Sequence, residues 1–293
     1  MIPAADLVAP SLIIGPRTFV WGARTYIMGV VNCSPESFSG DGVRDADEAL
    51  ALAHRMAAEG ADLLDIGGQS TRPGAEKSEA GFDEISADEE IRRTAPVIER
   101  VRAELPAVSI SIDTYKPEVA RAALRAGAHL INDITGFRRD PTLARIVAEA
   151  GIPAVIMHNQ RGRHSDDVIA GITEGLRESL TIAGDAGVPH ERLIIDPGFG
   201  FGWKPEENIE MLRRLGELRT LRLPLLIGTS RKSTIGTVLG GGSIEDRIWG
   251  TAATVALAIA AGADIVRVHD VAAMKRVALM ADAVVRGWPR EEQ

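Results

Sequence analysis

Leu130-Ile-Asn-Asp-Ile-Thr-Gly-Phe-Arg-Arg-Asp-Pro-Thr-Leu-Ala-Arg-Ile-Val-Ala-Glu-Ala-Gly-Ile-Pro-Ala-Val-Ile-Met-His-Asn159 holds one period of the chain's organisation. A short run rich in Ile, Val and Leu gives way to an Ala-, Leu-, Glu- and Arg-rich stretch with apolar residues at helical spacing, and then to the next short run. The short runs are continuously apolar rather than alternating. That pattern marks strands covered on both faces, as in a parallel sheet wrapped by helices. Outward from this unit the same alternation gives eight strand candidates: Ile27–Asn32, Leu63–Gly68, Ser109–Thr114, Leu130–Thr135, Ala154–Asn159, Leu193–Gly198, Leu225–Ser230 and Ile265–Asp270. Eight evenly dealt βα units predict an α/β protein of the closed (β/α)8 TIM-barrel type, with one barrel domain over residues 25–293. The alternative is an open doubly wound sheet. The regularity of the units, and the lack of a Gly-rich dinucleotide fingerprint after the first strand, favour closure. Residues 1–24 read as a short N-terminal extension, with a hairpin around Gly15-Pro16 that is expected to plug the barrel bottom.

Bulk properties narrow the function classes. The 293 residues are 45% hydrophobic, enough for a large core. Acidic residues outnumber basic ones 41 to 33, and a formal charge of -8 opposes nonspecific attraction to nucleic acid. An anionic substrate would therefore need a local cluster of Arg and Lys. The single cysteine, Cys33, cannot form an internal disulfide, so a reducing compartment, the cytoplasm, is the expected location. The start lacks the pattern of a secretory signal, and the apolar stretch 254–263 is too short to span a bilayer. Neither a membrane nor a nucleic acid is an expected partner.

In a barrel of this kind the chemistry lies at the C-terminal ends of the strands. Here those ends are polar: Asn32, the Gln69-Ser-Thr-Arg-Pro-Gly74 segment, Asp113-Thr114, Asn132-Asp133, Met157-His-Asn159, Asp196-Pro-Gly198, Ser230-Arg-Lys232 and Arg267-Val-His-Asp270. One Asp or Asn at a strand end is commonly a turn or helix cap. Eight such ends converging on one mouth are harder to read that way. Asp113, Asn132 and Asp196 offer acceptors and an amide to a flat polar heterocycle, while Lys232, Arg267 and His269 offer a cationic patch to an anion. The two Gly-, Ser- and Pro-rich segments Asn32–Gly42 and Gly67–Gly74 read either as ordinary surface turns or as loops whose hydroxyls, backbone amides and Arg72 enclose a phosphate, and Phe38 gives the first an apolar tip. No pair among His54, His129, His158, His164 and His190 has zinc-site spacing, and Arg161-Gly-Arg-His164 reads as a solvated basic turn.

Taken together, these segments resemble the dihydropteroate synthase family of pterin-binding enzymes from about Tyr26 to the last helix. The motifs are Met28-Gly-Val-Val-Asn-Cys-Ser-Pro-Glu-Ser-Phe-Ser39, Asp65-Ile-Gly-Gly-Gln-Ser-Thr-Arg-Pro-Gly74, Ser111-Ile-Asp-Thr114, Asn132-Asp133, Asp196-Pro-Gly-Phe-Gly-Phe201, Gly228-Thr-Ser-Arg-Lys232 and Arg267-Val-His-Asp270. The resemblance implies condensation of a pterin pyrophosphate with para-aminobenzoate. Asp113, Asn132, Asp196 and Lys232 would hold the pterin, and Met157 and Phe201 would flank its ring. Asn32 would ligate Mg2+ beside the pyrophosphate, whose oxygens Thr71, Arg72, Arg267 and His269 would contact. Para-aminobenzoate would lie against Thr71, Pro73, Phe201, Lys232 and Ser233, beneath Phe38. Arg72, Asp113, Lys232, Arg267 and His269 form the expected catalytic set, and a homodimer is the expected assembly. The sequence departs from the common family pattern at Gln69, where many members have Glu, and at Ser39-Gly-Asp-Gly42, where many read Ser-Asp-Gly-Gly and Asp41 stands one place along.

Two other readings compete. A methyltetrahydrofolate-dependent methyltransferase resembles the chain at Asp113, Asn132 and Asp196, but has no leaving pyrophosphate to engage Ser70-Thr-Arg-Pro73 and Ser230-Arg-Lys232. A pterin-binding paralogue without turnover is opposed by the intact Asn32, Arg72, Lys232 and His269.

Overall fold

A computed structural model describes residues 7–34, 45–70 and 84–288. The chain opens with an antiparallel hairpin of β1 (Ser11–Ile14) and β2 (Arg17–Val20), turned at Gly15 with φ of 57°. There follow β3 (Tyr26–Asn32), α1 (Ala46–Ala58), β4 (Leu63–Gly67), α2 (Ala87–Glu104), β5 (Ser109–Asp113), α3 (Pro117–Ala126), β6 (Leu130–Asp133) and α4 (Thr142–Ala150). The second half continues with β7 (Ala154–Met157), α5 (Val168–Asp185), β8 (Leu193–Asp196), α6 (Pro205–Arg213), β9 (Leu226–Ile227), α7 (Ser233–Val238), α8 (Arg247–Ala260), β10 (Ile265–Val268) and α9 (Val271–Val285).

The eight strands β3 to β10 are parallel, in the order β8-β7-β6-β5-β4-β3-β10-β9. A bridge from Ile195 to Leu225, with the Ile195 N–H donating to the Pro224 carbonyl at 2.9 Å, joins β8 to β9 and closes the ring. The predicted barrel is thus the observed one. Its seventh strand, Leu226–Ile227, is shorter than the run Leu225–Ser230 suggested; just before it, the Leu225 N–H is taken by the buried Asp264 carboxylate at 3.0 Å. Two helices rather than one follow that strand, separated by Gly240-Gly-Gly242.

Local chemistry fixes the helix ends. The Asp45 carboxylate accepts the N–H groups of Asp47 and Glu48, both at 2.9 Å, and the Ser86 hydroxyl accepts that of Glu89 at 3.2 Å. Helix α3 begins on Pro117, whose missing N–H would have had no intrahelical partner, and stops at Gly127 in the left-handed region.

The period of two along each strand sorts the barrel into layers. Outward-facing residues such as Ile27, Leu64, Ile110, Ile131, Ile156 and Ile195 pack beneath the helices. At the bottom of the interior, Met28, Leu63, Leu130, Val155, Ile194, Leu226 and Ile265 form one apolar cluster with Ile14, Phe19 and Trp21 of the N-terminal hairpin. The hairpin therefore plugs the barrel as expected, and each such side chain removed from water contributes roughly 1.5–3 kcal/mol. The Ser109 hydroxyl ties it down by donating to the Ile14 carbonyl at 2.7 Å. Two residues further along the strands, the interior positions become Asp65, Ser111, Asn132, Met157, Asp196 and Arg267. Above an apolar plug lies a polar layer, and this is where the mouth begins.

Candidate active site

Asp65 is wholly buried at the centre of β4, in a strand otherwise made of Leu, Ile and Gly. Its Oδ2 accepts from Asn132 Nδ2 at 2.9 Å and from Arg267 Nε at 2.6 Å. Arg267 in turn donates through Nη2 to Asp113 Oδ2 at 2.6 Å. Strands β4, β5, β6 and β10 thus share one network across the barrel, with a single guanidinium forked between two carboxylates. Burial pushes the Asp113 carboxyl up to about 7; Arg267 opposes the shift, while Asp65, Glu90 and Asp133 add to it. The Arg267 guanidinium is held cationic, its proton affinity raised by Asp65 and Asp113 against the effect of burial.

Asp196 stands at the end of β8 and accepts the Gly198 N–H at 2.8 Å. Burial raises its carboxyl to about 6, against the opposing pull of that N–H, Lys232 and Arg267. The chain then passes through Gly198, Gly200 and Gly202, all at positive φ. A Cβ on Gly200 would come within 2.7 Å of Lys232 Cδ, so glycine leaves a channel for the lysine stem. The Lys232 ammonium donates to the Phe199 carbonyl and lies 4.2 Å from the centre of the Phe201 ring. Phe201 packs against Tyr115, Ile134 and Met157. His269 shares a hydrogen bond with the Ser230 hydroxyl, Nδ1 to Oγ, at 3.0 Å.

These elements enclose a cavity at the strand ends. Of the residues predicted from the sequence, Asn32, Asp113, Phe201, Lys232, Ser233, Arg267 and His269 line it. Asn132, Met157 and Asp196 do not. They are more deeply buried, at 4%, 2% and 7% exposure, with Asn132 in register beside Asp113 and Met157 beside Asp196. Thr71, Arg72, Pro73, Phe38 and Asp41 lie outside the described residues.

Further residues add to the lining: four from the polar strand ends already singled out in the sequence, and two, Arg161 and Arg247, that the sequence reading did not place at the site. Gln69, Ser70, Arg161, Ser230, Arg231 and Arg247 also line the cavity. Arg161 corrects the reading of Arg161-Gly-Arg-His164 as a solvated turn, since its guanidinium lies 5.1 Å over the Phe201 ring at the mouth. Arg163 and His164 do face outward, paired with Glu178 and Asp166. At Gln69 the departure from Glu uses both halves of the amide. Its NH2 donates to the Tyr115 hydroxyl at 2.9 Å, and its oxygen accepts from Lys116 Nζ at 2.6 Å and the Ile85 N–H at 3.2 Å. His158 is buried, paired with Gln160 at 2.8 Å and held neutral by burial, its pKa lowered to about 4. Burial likewise raises the Cys33 thiol to about 12, so it packs rather than reacts.

A (β/α)8 barrel with carboxylate, amide and guanidinium groups in its floor and cations at its rim defines a class of enzyme that binds a polar heterocycle together with an anion. Residues 28–269 match the family model described as "Pterin binding enzyme", and the chain belongs to that family. It is 43% identical to the dihydropteroate synthase of Synechocystis sp., over 96% of this chain and 98% of that one. Among solved structures it resembles the Xanthomonas albilineans dihydropteroate synthase with 4-aminobenzoic acid, at 42% identity and a TM-score of 0.86, covering 94% of this chain and 98% of that one. The Yersinia pestis dihydropteroate synthase in complex with a sulfonamide drug shows 36% identity and a TM-score of 0.86, with the same coverage.

Proposed function

We propose that this protein condenses 6-hydroxymethyl-7,8-dihydropterin pyrophosphate with para-aminobenzoate, giving 7,8-dihydropteroate and pyrophosphate. The observation that carries the reading is the network of Asp65, Asn132, Arg267 and Asp113, set below a rim bearing Lys232 and His269. The C–O bond to pyrophosphate breaks, the arylamine nitrogen forms the new C–N bond at the pterin methylene, and that nitrogen loses a proton. Asp113, Asn132 and Asp196 bind the ring, and the two aspartate carboxylates favour positive charge developing on the pterin methylene as the leaving group departs. Met157 and Phe201 would flank the ring, and Lys232, 4.2 Å from the centre of the Phe201 ring, would meet the pterin's polar edge. Arg267 and His269, with Thr71 and Arg72, would face the phosphate oxygens. Para-aminobenzoate would take the outer part of the mouth, against Phe201, Lys232 and Ser233, with Pro73 and Phe38 over it. A sulfonamide would compete there, since it reproduces the aryl amine and the polar group opposite.

Mg2+ is the proposed cofactor, held through Asn32. That side chain ends β3 on the cavity wall, and an amide oxygen is a hard donor suited to this ion. Among the described residues no group of three or more His, Cys, Asp or Glu gathers as a metal site. Most of the coordination would therefore come from pyrophosphate and water, as is usual for Mg2+. When bound, the ion neutralises charge developing on the leaving group. Incubation with both substrates and Mg2+ should release dihydropteroate, and chelating the metal should lower the rate at least about tenfold. Folded protein that binds pterin but releases no product would favour the paralogue without turnover. Transfer of a methyl group from methyltetrahydrofolate instead would favour the methyltransferase.

The proposed assembly is a homodimer acting in the cytoplasm. No helix among the described residues is long and apolar enough to cross a membrane. Adjacent helices α8 and α9 expose Trp249, Leu257, Met280 and Val284, each more than half accessible. Apolar surface of this kind is expected to be covered by a second copy of the chain. Light scattering at micromolar concentration should report a dimer, and Trp249→Glu with Leu257→Glu should report a monomer. A monomeric parent protein would remove this assignment.

A further inference from the structure

We propose that Asp65 is the positioning residue of the pterin site, fixing which face of the Asn132 amide and which arm of Arg267 the mouth presents. The proposal rests on the pterin-binding reading above and extends it to a residue that does not line the cavity.

Asp65 is fully buried, and its carboxylate can only accept hydrogen bonds while ionised. Facing it, the Asn132 side chain has one orientation that works: NH2 toward Asp65, as observed at 2.9 Å. The carbonyl oxygen of that planar amide is then the atom turned away from Asp65, available as an acceptor for a ring N–H. Were residue 65 neutral, the Asn132 amide could rotate and present its NH2 instead. A donor would then meet the donors of the heterocycle, and mispaired buried groups are strongly disfavoured. The same Oδ2 atom accepts from Arg267 Nε at 2.6 Å, which points the far end of the guanidinium at Asp113 on the neighbouring strand β5. One oxygen therefore sets two neighbours whose outer atoms meet the ligand. A second feature marks the position as built for more than packing. Asp65 Oδ1 and the hydroxyl of Ser111, its register partner on β5, are both buried without a hydrogen-bond partner among the described residues. A strand position that needed only to fill space would hold Val or Leu.

The groups acting on Asp113 give the test a readout that packing alone would not move. Asp113 faces Arg267 from β10, Asp65 from β4, Glu90 from α2 and Asp133 from β6. Asp65 raises its carboxyl pKa and Arg267 lowers it. Neutralising Asp65 removes a raising influence and frees Arg267 from one competing carboxylate, so the Asp113 carboxyl should titrate at lower pH. If pterin binding needs that carboxylate ionised, the acid limb of the binding curve moves down.

The variants are Asp65→Asn and the exchange Asp65→Asn with Asn132→Asp. In the exchanged pair the new amide donates to the new carboxylate, which keeps an acceptor toward the ligand, while Arg267 Nε loses its acceptor at position 65, so the exchange restores the residue-132 half of the network. Calorimetry with 6-hydroxymethylpterin should show Asp65→Asn binding at least tenfold more weakly than the parent, with an acid limb at lower pH. Its KM for para-aminobenzoate, measured at saturating pterin pyrophosphate, should stay within about twofold, and the exchange should recover part of the affinity. Parent-like pterin affinity with an unmoved acid limb in Asp65→Asn would overturn the proposal. So would an exchange variant no better than the single one, or, if the single variant does not fold, a folded exchange variant that binds pterin more than tenfold below the parent. A parent protein that binds no pterin would sink the functional reading instead.

Discussion

Replacing Arg267 with Met should leave less than about one per cent of turnover and lower folding stability by about 3–5 kcal/mol, the usual result of removing one partner from a buried ion pair. The Arg267 guanidinium is roughly four-fifths buried and meets Asp65 and Asp113 at 2.6 Å each. Without it, two carboxylates on adjacent strands face each other in the barrel interior, and at least one must take up a proton to remain there. That proton would be bound in the folded state and released on unfolding at neutral pH, so the variant's stability should fall as pH rises through the range where buried Asp113 titrates. Catalysis suffers separately. A cation aimed at a departing anion is worth about 100-fold or more, and the proposed reaction discards pyrophosphate. Arg267→Lys should recover part of the stability and little of the rate, because a single ammonium cannot reach both carboxylates with the fixed geometry of the guanidinium fork. Urea denaturation and steady-state kinetics read the two effects independently. Retention of a tenth of the parent's turnover by Arg267→Met would show that the cation does not act on the leaving group.

The barrel was legible because its evidence is local and repeated. Each βα unit shows the switch from a continuous apolar run to helical spacing, as from Leu130–Asp133 to Thr142–Ala150, and eight repetitions leave few topologies. Polar strand ends were visible for the same reason, since Asp113, Asp196, Arg267 and His269 each interrupt an apolar run. What the sequence concealed depends on contacts between strands. Asp65 sits inside Leu63-Leu-Asp-Ile66, where a lone acid gives no hint that Asn132 and Arg267, 67 and 202 residues away, are its partners. Counting by twos from Leu63 would have placed it on the interior face, one layer above the hairpin plug. Arg161 was hidden differently: its neighbours Gly162, Arg163 and His164 give the turn a solvated look, while the guanidinium reaches back over a ring forty residues away. Nor could the capture of the Leu225 N–H by Asp264 be foreseen, since the acid lies on a later segment.

Gly198→Ala should destabilise the protein by about 3 kcal/mol or more and raise the KM for the pterin substrate, although the change adds one methyl group. Gly198 has φ of +77°, where any L residue is strained by about 1–2 kcal/mol. Its surroundings add a second, larger effect. A Cβ built there would stand 1.8 Å from the His158 carbonyl oxygen, a backbone atom that no rotamer change can move aside. The segments that would have to separate are stitched together: the His158 N–H donates to the Asp196 carbonyl at 2.9 Å, the Gln160 N–H to the Phe201 carbonyl at 3.0 Å, and the Phe201 N–H to the Gly198 carbonyl at 2.9 Å. Gly198 also donates its own N–H to the Asp196 carboxylate. Displacing this turn therefore shifts Asp196 and Phe201 together, the proposed acceptor and the proposed wall of the pterin site, while Arg267, His269 and Asn32 stay on their own strands. The defect should accordingly fall on pterin affinity. Gly187→Ala supplies the control: it too has positive φ, +85°, but nothing lies within 4 Å of the added carbon. That variant should lose only about 1–2 kcal/mol from backbone strain and keep parent-like kinetics. If denaturant unfolding finds Gly198→Ala no less stable than Gly187→Ala, the close approach of the two strand ends that shapes this side of the mouth is wrong.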